Sequence, residues 1–194
     1  MSREHLLKSL EVAGTPPEIL AAFAAVPRER FVPPGFSAQA YVDSALPLTC
    51  GSTISQPAMV AIVLRELRLE PGLRVLEVGS GSGYLLALLH ALGCEATGVE
   101  IDARLALESQ RALGDSAVVL AGDAASANLH GPFDRVVFSA SLESVPGWAL
   151  GLLAPDGFAL APIGTVTQEL ERVYSDGRRE RTGRLCRFVP FQES

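Results

Sequence analysis

The stretch LRVLEVGSGSGY, Leu73 to Tyr84, decides the fold. Its first half is a Val/Leu run interrupted by Arg74 and Glu77, the composition of a short strand buried on both faces. Its second half sets Gly79, Gly81 and Gly83 around Ser80 and Ser82. Glycine at such a turn accepts left-handed backbone and lets another group approach the main chain. The apolar run YLLALLHALG comes next, so the whole reads as strand, glycine turn and helix. A dinucleotide-binding turn would carry a third glycine where Tyr84 stands.

Outward from this unit the pattern repeats. Strand EATGVEI, helix ARLALESQRALG, strand AVVLAGD and strand RVVFSA follow in order. Alternating strands and helices, with strands close to continuous aliphatic runs, predict an α/β fold: a doubly wound, mostly parallel sheet with helices on both faces. FALAPIG, ELERVYS and RLCRFVP are three further strands, the last two with no helix between them, so an antiparallel pair is expected at one sheet edge. Residues 2–13 and 16–26 read as two helices of an N-terminal appendage, the second announced by Thr15 as cap, Pro16 and Glu18. The expected organisation is one domain over 1–194: helices and a proline-rich, partly apolar loop to 55, an α/β core over 56–164, and C-terminal strands over 165–194. Residues 27–55 are too apolar for a linker and read as a lid or wall.

The 194 residues suffice to bury a core without metal or disulfide. Cys50, Cys94 and Cys186 are widely spaced and odd in number, which suggests neither a disulfide framework nor a zinc site and fits a reducing cytoplasm. A net charge of −6 offers phosphate backbones no general attraction, so no nucleic-acid partner is expected. The basic run GRRERTGR reads as an exposed turn between strands. No apolar stretch approaches the ~20 residues a membrane span requires, and the N-terminus has no leader-like pattern, so a soluble monomer is expected.

Acids stand at the strand ends. Glu100 closes GVEID about 20 residues after the glycine turn, where a carboxylate can accept both ribose hydroxyls of a nucleoside. Asp123 closes AGDA, placed to accept from an adenine amino group while the neighbouring Ala124 N–H donates to the ring. Glu77 would face the positive end of such a ligand. Each acid alone can be a helix cap or a solvated strand end; together with the glycines they mark a ligand site, because open α/β sheets bind at the carboxyl ends of their strands. GSTISQP, Gly51 to Pro57, poses a similar choice. Ser55, just ahead of an apolar helix, reads either as its N-cap or as a substrate contact.

The G-x-G-x-G turn resembles that of S-adenosylmethionine-dependent methyltransferases. More of the chain, VPRERFVP, AYVDSALPL, GSTISQP, VLEVGSGSGY, PFDRVVFSAS, PDGFALAPIG and the closing FVPF, resembles the protein-L-isoaspartate O-methyltransferase family. The resemblance implies S-adenosylmethionine held by Glu77, Gly79, Ser80, Gly81, Ser82, Gly83, Glu100, Asp123 and Ala124. It implies an acceptor side at Thr53, Ile54 and Ser55, with Ser55 contacting the substrate carboxylate. The reaction implied is methylation of the α-carboxylate of isoaspartyl residues in damaged proteins or peptides, a repair reaction. No general base is required, since a carboxylate is already ionised at neutral pH, and His5, His90 and His130 are expected to be structural. Departures from the family pattern are Ser52 for Gln, Ala124 for Gly, SAS at Ser139–Ser141, paired Leu152 and Leu153, and a loop from Ala124 to Gly131 one residue short. Two alternatives share these residues: a methyltransferase acting on an aspartate of a dedicated peptide, disfavoured by the chain's ending soon after FVPF, and a non-catalytic S-adenosylmethionine- or peptide-binding protein, which would have no use for Ser55.

Overall fold

The computed structural model describes residues 1–192, apart from the side chain of Cys50. In chain order the elements are α1 (Arg3–Val12), α2 (Pro17–Ala25), β1 (Leu46–Pro47), β2 (Thr53–Ile54), α3 (Pro57–Glu66), β3 (Arg74–Val78), α4 (Tyr84–Ala91), β4 (Glu95–Glu100), α5 (Ala103–Leu113) and β5 (Val118–Ala121). They continue with β6 (Phe133–Phe138), α6 (Gly147–Leu150), β7 (Leu153–Ile163), β8 (Gln168–Tyr174) and β9 (Arg179–Cys186). Seven strands form one sheet in the order β5-β4-β3-β6-β7-β8-β9. The pairings from β5 to β7 are parallel and those of β7 with β8 and β8 with β9 antiparallel. The order reverses between β3 and β6, a switch point that opens a crevice at the strand ends.

Successive strand residues point to opposite faces, and the core divides accordingly. Val75, Val137, Leu160 and Phe158 pack with residues of α1 to α4, whereas Leu76, Val78, Val136 and Phe138 pack on the other face with Ala149 of α6. The cover is therefore uneven. One face carries most of the helix, and the other is closed by the short α6 and the loop after β5. Among the described residues no helix is long and apolar enough to cross a membrane. Cys94, buried, and Cys186, half-buried, are free.

Two local expectations are corrected, and one pair of strands arises without a sequence signal. Thr15 does not cap α2: the flanking residue is Pro16, and no side chain bonds to the helix end. The basic run is mostly strand rather than turn: Gly177 and Arg178 lie in the connection between β8 and β9, but Arg179 to Arg184 lie in β9. Its arginines meet carboxylates across the ladder, Arg179 with Glu171 at 2.6 Å and Arg181 with Glu169. Opposite charges on neighbouring strands are a sheet-stabilising pattern, and the run was misread because charge alone does not separate an edge strand from a turn. Finally, β1 and β2 within the 27–55 loop carry no sequence signal, being two residues each.

Candidate active site

Two adjoining cavities lie at the C-terminal ends of β3 to β6, of about 310 and about 60 Å³. Thr53, Gly79, Gly81 and Ser139 line both. The larger has the size of a small-ligand site and is lined by Gly79 and Gly81 of the glycine turn, by apolar strand-end residues such as Val78 and Val99, and by two acids, Glu100 and Asp123. Gly79 sits at φ +78°, and a Cβ there would project into open space, so the turn presents bare backbone where a ligand would lie. Gly83, at φ +80°, serves packing instead: a Cβ would stand 2.9 Å from Leu113 of α5, and Gly83 lines neither cavity.

Glu100 is buried at the end of β4. One carboxylate oxygen accepts from Gly81 N–H at 2.8 Å and the other from Asp102 N–H at 3.1 Å, which ties the glycine turn to the next strand. Each oxygen keeps a further lone pair for the cavity. Asp123 accepts from Ala125 N–H at 2.9 Å and lines the same cavity, with Ala124 buried beside it.

Glu77, Ser80 and Ser82 line the smaller cavity, alongside Ile54 and Ser55. Glu77 is fully enclosed: Oε1 accepts from the Ser139 hydroxyl at 2.7 Å, and Oε2 has no partner among the described residues. Loss of water pushes its carboxyl up to about 8, against the opposing pull of the Ser139 bond, with Glu100 adding to the rise. At neutral pH the group is mostly protonated until a cation reaches it. The buried Ser80 hydroxyl is likewise without a partner among the described residues. Such orphans in a cavity wall fit a ligand that carries positive charge and donors.

The cap reading of Ser55 is overturned. α3 starts at Pro57 with Gln56 as its flanking residue, and neither Gln56 nor Ser55 bonds to the first turn. Pro57 has no N–H to satisfy, and the Ala58 N–H is taken at 2.8 Å by Asp43, 15 residues upstream. The Ser55 hydroxyl is thus spared for the cavity. Its segment is fixed by the antiparallel pair β1–β2, with Leu46 opposite Ile54 and Pro47 opposite Thr53, and by the Ser55 carbonyl accepting from Arg28 Nη2 at 2.8 Å.

The C-terminal strap completes both cavities. Phe188 lines the smaller, and Val189 to Gln192 line the larger. The Gln168 side-chain amide holds the strap as a strand would, accepting from Phe188 N–H at 2.6 Å and donating to Phe188 carbonyl at 3.1 Å. Ser141 pairs with Val189 and Phe191 through its main chain. All three histidines are exposed and lie outside both cavities. Sequence reading did not single out Arg28, Asp43, Ser139, Gln168 or Phe188 as site residues; Arg28, Asp43, Ser139 and Phe188 sit within quoted motifs, but Arg28, Asp43 and Gln168 act through long-range contacts that carry no local signal.

A glycine turn on a parallel sheet, acids at successive strand ends and a cavity at the switch point define an S-adenosylmethionine-dependent methyltransferase of the class I, Rossmann-like fold. Within that class, the chain belongs to the family described as "Protein-L-isoaspartate(D-aspartate) O-methyltransferase (PCMT)", whose pattern matches residues 1–194. It is 42% identical over 156 residues to the protein-L-isoaspartate O-methyltransferase of Gloeobacter violaceus, covering 78% of this chain and 76% of the relative. Over 192 residues it is 42% identical to that of Anaeromyxobacter dehalogenans, covering 89% and 88%. A crystal structure of a Plasmodium falciparum beta-aspartate methyltransferase (PCMT) in complex with S-adenosyl-L-homocysteine superposes with a TM-score of 0.87 over 100% of both chains at 24% identity, a likeness of fold.

Proposed function

We propose that the protein methylates the α-carboxylate of L-isoaspartyl residues in damaged proteins or peptides, with S-adenosylmethionine bound in the larger cavity and the acceptor entering at Ser55. The observation that carries this reading is the continuity of the two cavities through Thr53, Gly79, Gly81 and Ser139, with an uncommitted serine hydroxyl in the smaller one. Glu100 and Asp123 would hold the nucleoside, and Glu77 and the glycine turn the methionine end. S-adenosylmethionine held there would supply an electrophilic methyl group to the ionised acceptor oxygen, with its sulfur leaving as the neutral thioether.

No proton has to move, so the site's task is placement and exclusion of water. Ser55 orients the acceptor carboxylate by donating to one oxygen, and the Phe188 strap and the β1–β2 loop close the space around it. A neutral Glu77 in the free enzyme keeps an unpaired negative charge away from an anionic acceptor. The acidic net charge and the free Cys94 and Cys186 favour a cytoplasmic enzyme acting as a monomer without nucleic acid. The test is methyl transfer from radiolabelled S-adenosylmethionine to matched peptides that differ only in isoaspartyl or aspartyl linkage. Transfer to the isoaspartyl peptide alone is expected. Equal or exclusive transfer to the aspartyl peptide would sink the repair reading, and cofactor binding without transfer would leave a binding protein.

A further inference from the structure

Arg28, in the turn Arg28–Phe31, is completely buried. Its Nε donates to Ala40 carbonyl at 2.9 Å, its Nη2 to Ser55 carbonyl at 2.8 Å, and its guanidinium lies 4.9 Å from the centre of the Tyr84 ring. Nη1 has no partner, and no carboxylate among the described residues comes within ion-pair distance. Arg172 shows what a structural buried arginine looks like in this same protein: nearly as enclosed, it is bridged by Glu66 and, at 2.8 Å, by Glu180. A buried charge without a counter-charge is costly to keep, so its retention calls for an anion that arrives later. Burial lowers Arg28 to about 10, which leaves it charged at neutral pH. The charge of Asp43 acts on it, raising Arg28 against the effect of burial, but Asp43 makes no ion pair with it: Asp43 is exposed and accepts from Ala58 N–H.

Of the three residues Arg28 contacts, Ser55 and Tyr84 line the smaller cavity. We propose that Arg28 is a positioning residue whose fixed positive charge, set behind Ser55 and Tyr84, is the counter-charge of the acceptor carboxylate and makes the enzyme prefer an anionic acceptor to a neutral one. This rests on the reading of that cavity as the acceptor side. The planar fork matters as well as the charge, since it serves two carbonyls and an aromatic face at once.

The experiment measures binding of two peptides to the S-adenosylhomocysteine-loaded protein: one carries an isoaspartyl carboxylate and the other the isosteric carboxamide. Wild type should bind the carboxylate at least tenfold more tightly. In Arg28→Gln that gap should close through loss of carboxylate affinity, with carboxamide and S-adenosylhomocysteine affinities unchanged. Arg28→Lys should restore part of the gap. Equal weakening of both peptides, an unchanged gap, or failure of both variants to fold would each overturn the proposal and assign Arg28 to scaffolding. Wild-type turnover of the isoaspartyl peptide separates the two readings. If turnover is present and the gap survives Arg28→Gln, only the Arg28 assignment falls; if turnover is absent, the functional reading falls and takes this assignment with it.

Discussion

The two cavities share a wall but are built from different materials. The larger is made of the glycine turn and the ends of neighbouring strands with their acids, all from within the α/β core except for the strap and the Gly51–Thr53 turn. The smaller gathers side chains that are far apart in sequence: Ser55 from a loop pinned by Arg28, Glu77 bonded to Ser139, and Phe188 held by Gln168. The lesson is a division of labour. On the proposed reading, a ligand common to a whole fold class would be met by strand ends, the glycine turn and a few acids that the βαβ geometry places automatically, while the acceptor would be met by contacts that exist only once the chain is folded.

The sharpest way to break this division is to remove one residue from each side. Glu100→Ala should weaken S-adenosylhomocysteine by about 1.5–3 kcal/mol, the worth of charge-assisted hydrogen bonds, and the lost bond to Gly81 would add to it. Calorimetric titration of the folded variant checks this, and an unchanged affinity would take Glu100 out of the cofactor site. Ser55→Ala should lower kcat/KM for an isoaspartyl peptide roughly ten- to a hundredfold, from loss of one hydrogen bond to a carboxylate. Cofactor affinity and Tm should stay near wild type, because Ser55 caps nothing.

Asp43→Ala sharpens the same contrast from the other direction. Loss of the cap on Ala58 should cost about 1 kcal/mol, or roughly 2–4 °C in Tm for a chain of this size. Cofactor affinity should be nearly intact. A larger fall in Tm from Ser55→Ala than from Asp43→Ala would reverse the assignment of the cap.

The last expected effect concerns protons. Glu77 titrates near 8 in the folded protein rather than at its ordinary 4.5, so the unfolded chain gives up this proton first. Its contribution to stability is therefore present below about pH 4.5 and lost as pH rises toward 8. Glu77→Gln should gain in stability relative to wild type across that window, as read from denaturant midpoints. A bound sulfonium and ammonium should drive the carboxyl to ionise. Binding of S-adenosylmethionine at pH 6.5–7 should then release a fraction of a proton up to one, which calorimetry in buffers of different ionisation enthalpy can read. Zero release, in wild type and Glu77→Gln alike, would separate Glu77 from the cation.

The core strands, the glycine turn and the acids Glu77, Glu100 and Asp123 were legible in the sequence because each is dictated locally: aliphatic runs make buried strands, and a strand-to-helix turn in a βαβ unit puts its neighbours at the strand's carboxyl end. The family resemblance pointed to Ser55, but its cap alternative was settled only by Pro57 and a carboxylate from Asp43. Gly83 was grouped with the ligand turn by spacing; in the fold it lines neither cavity and packs against Leu113, a helix–helix contact that the sequence does not show. What the sequence determined by itself was periodicity and local turn chemistry, hence the fold class and the cofactor side. What only the tertiary structure decided was the acceptor side: which buried arginine lacks a partner, which amide grips the strap and which acid caps α3. Those outcomes depend on contacts between residues 15 to 27 positions apart, where no local pattern records which groups will meet.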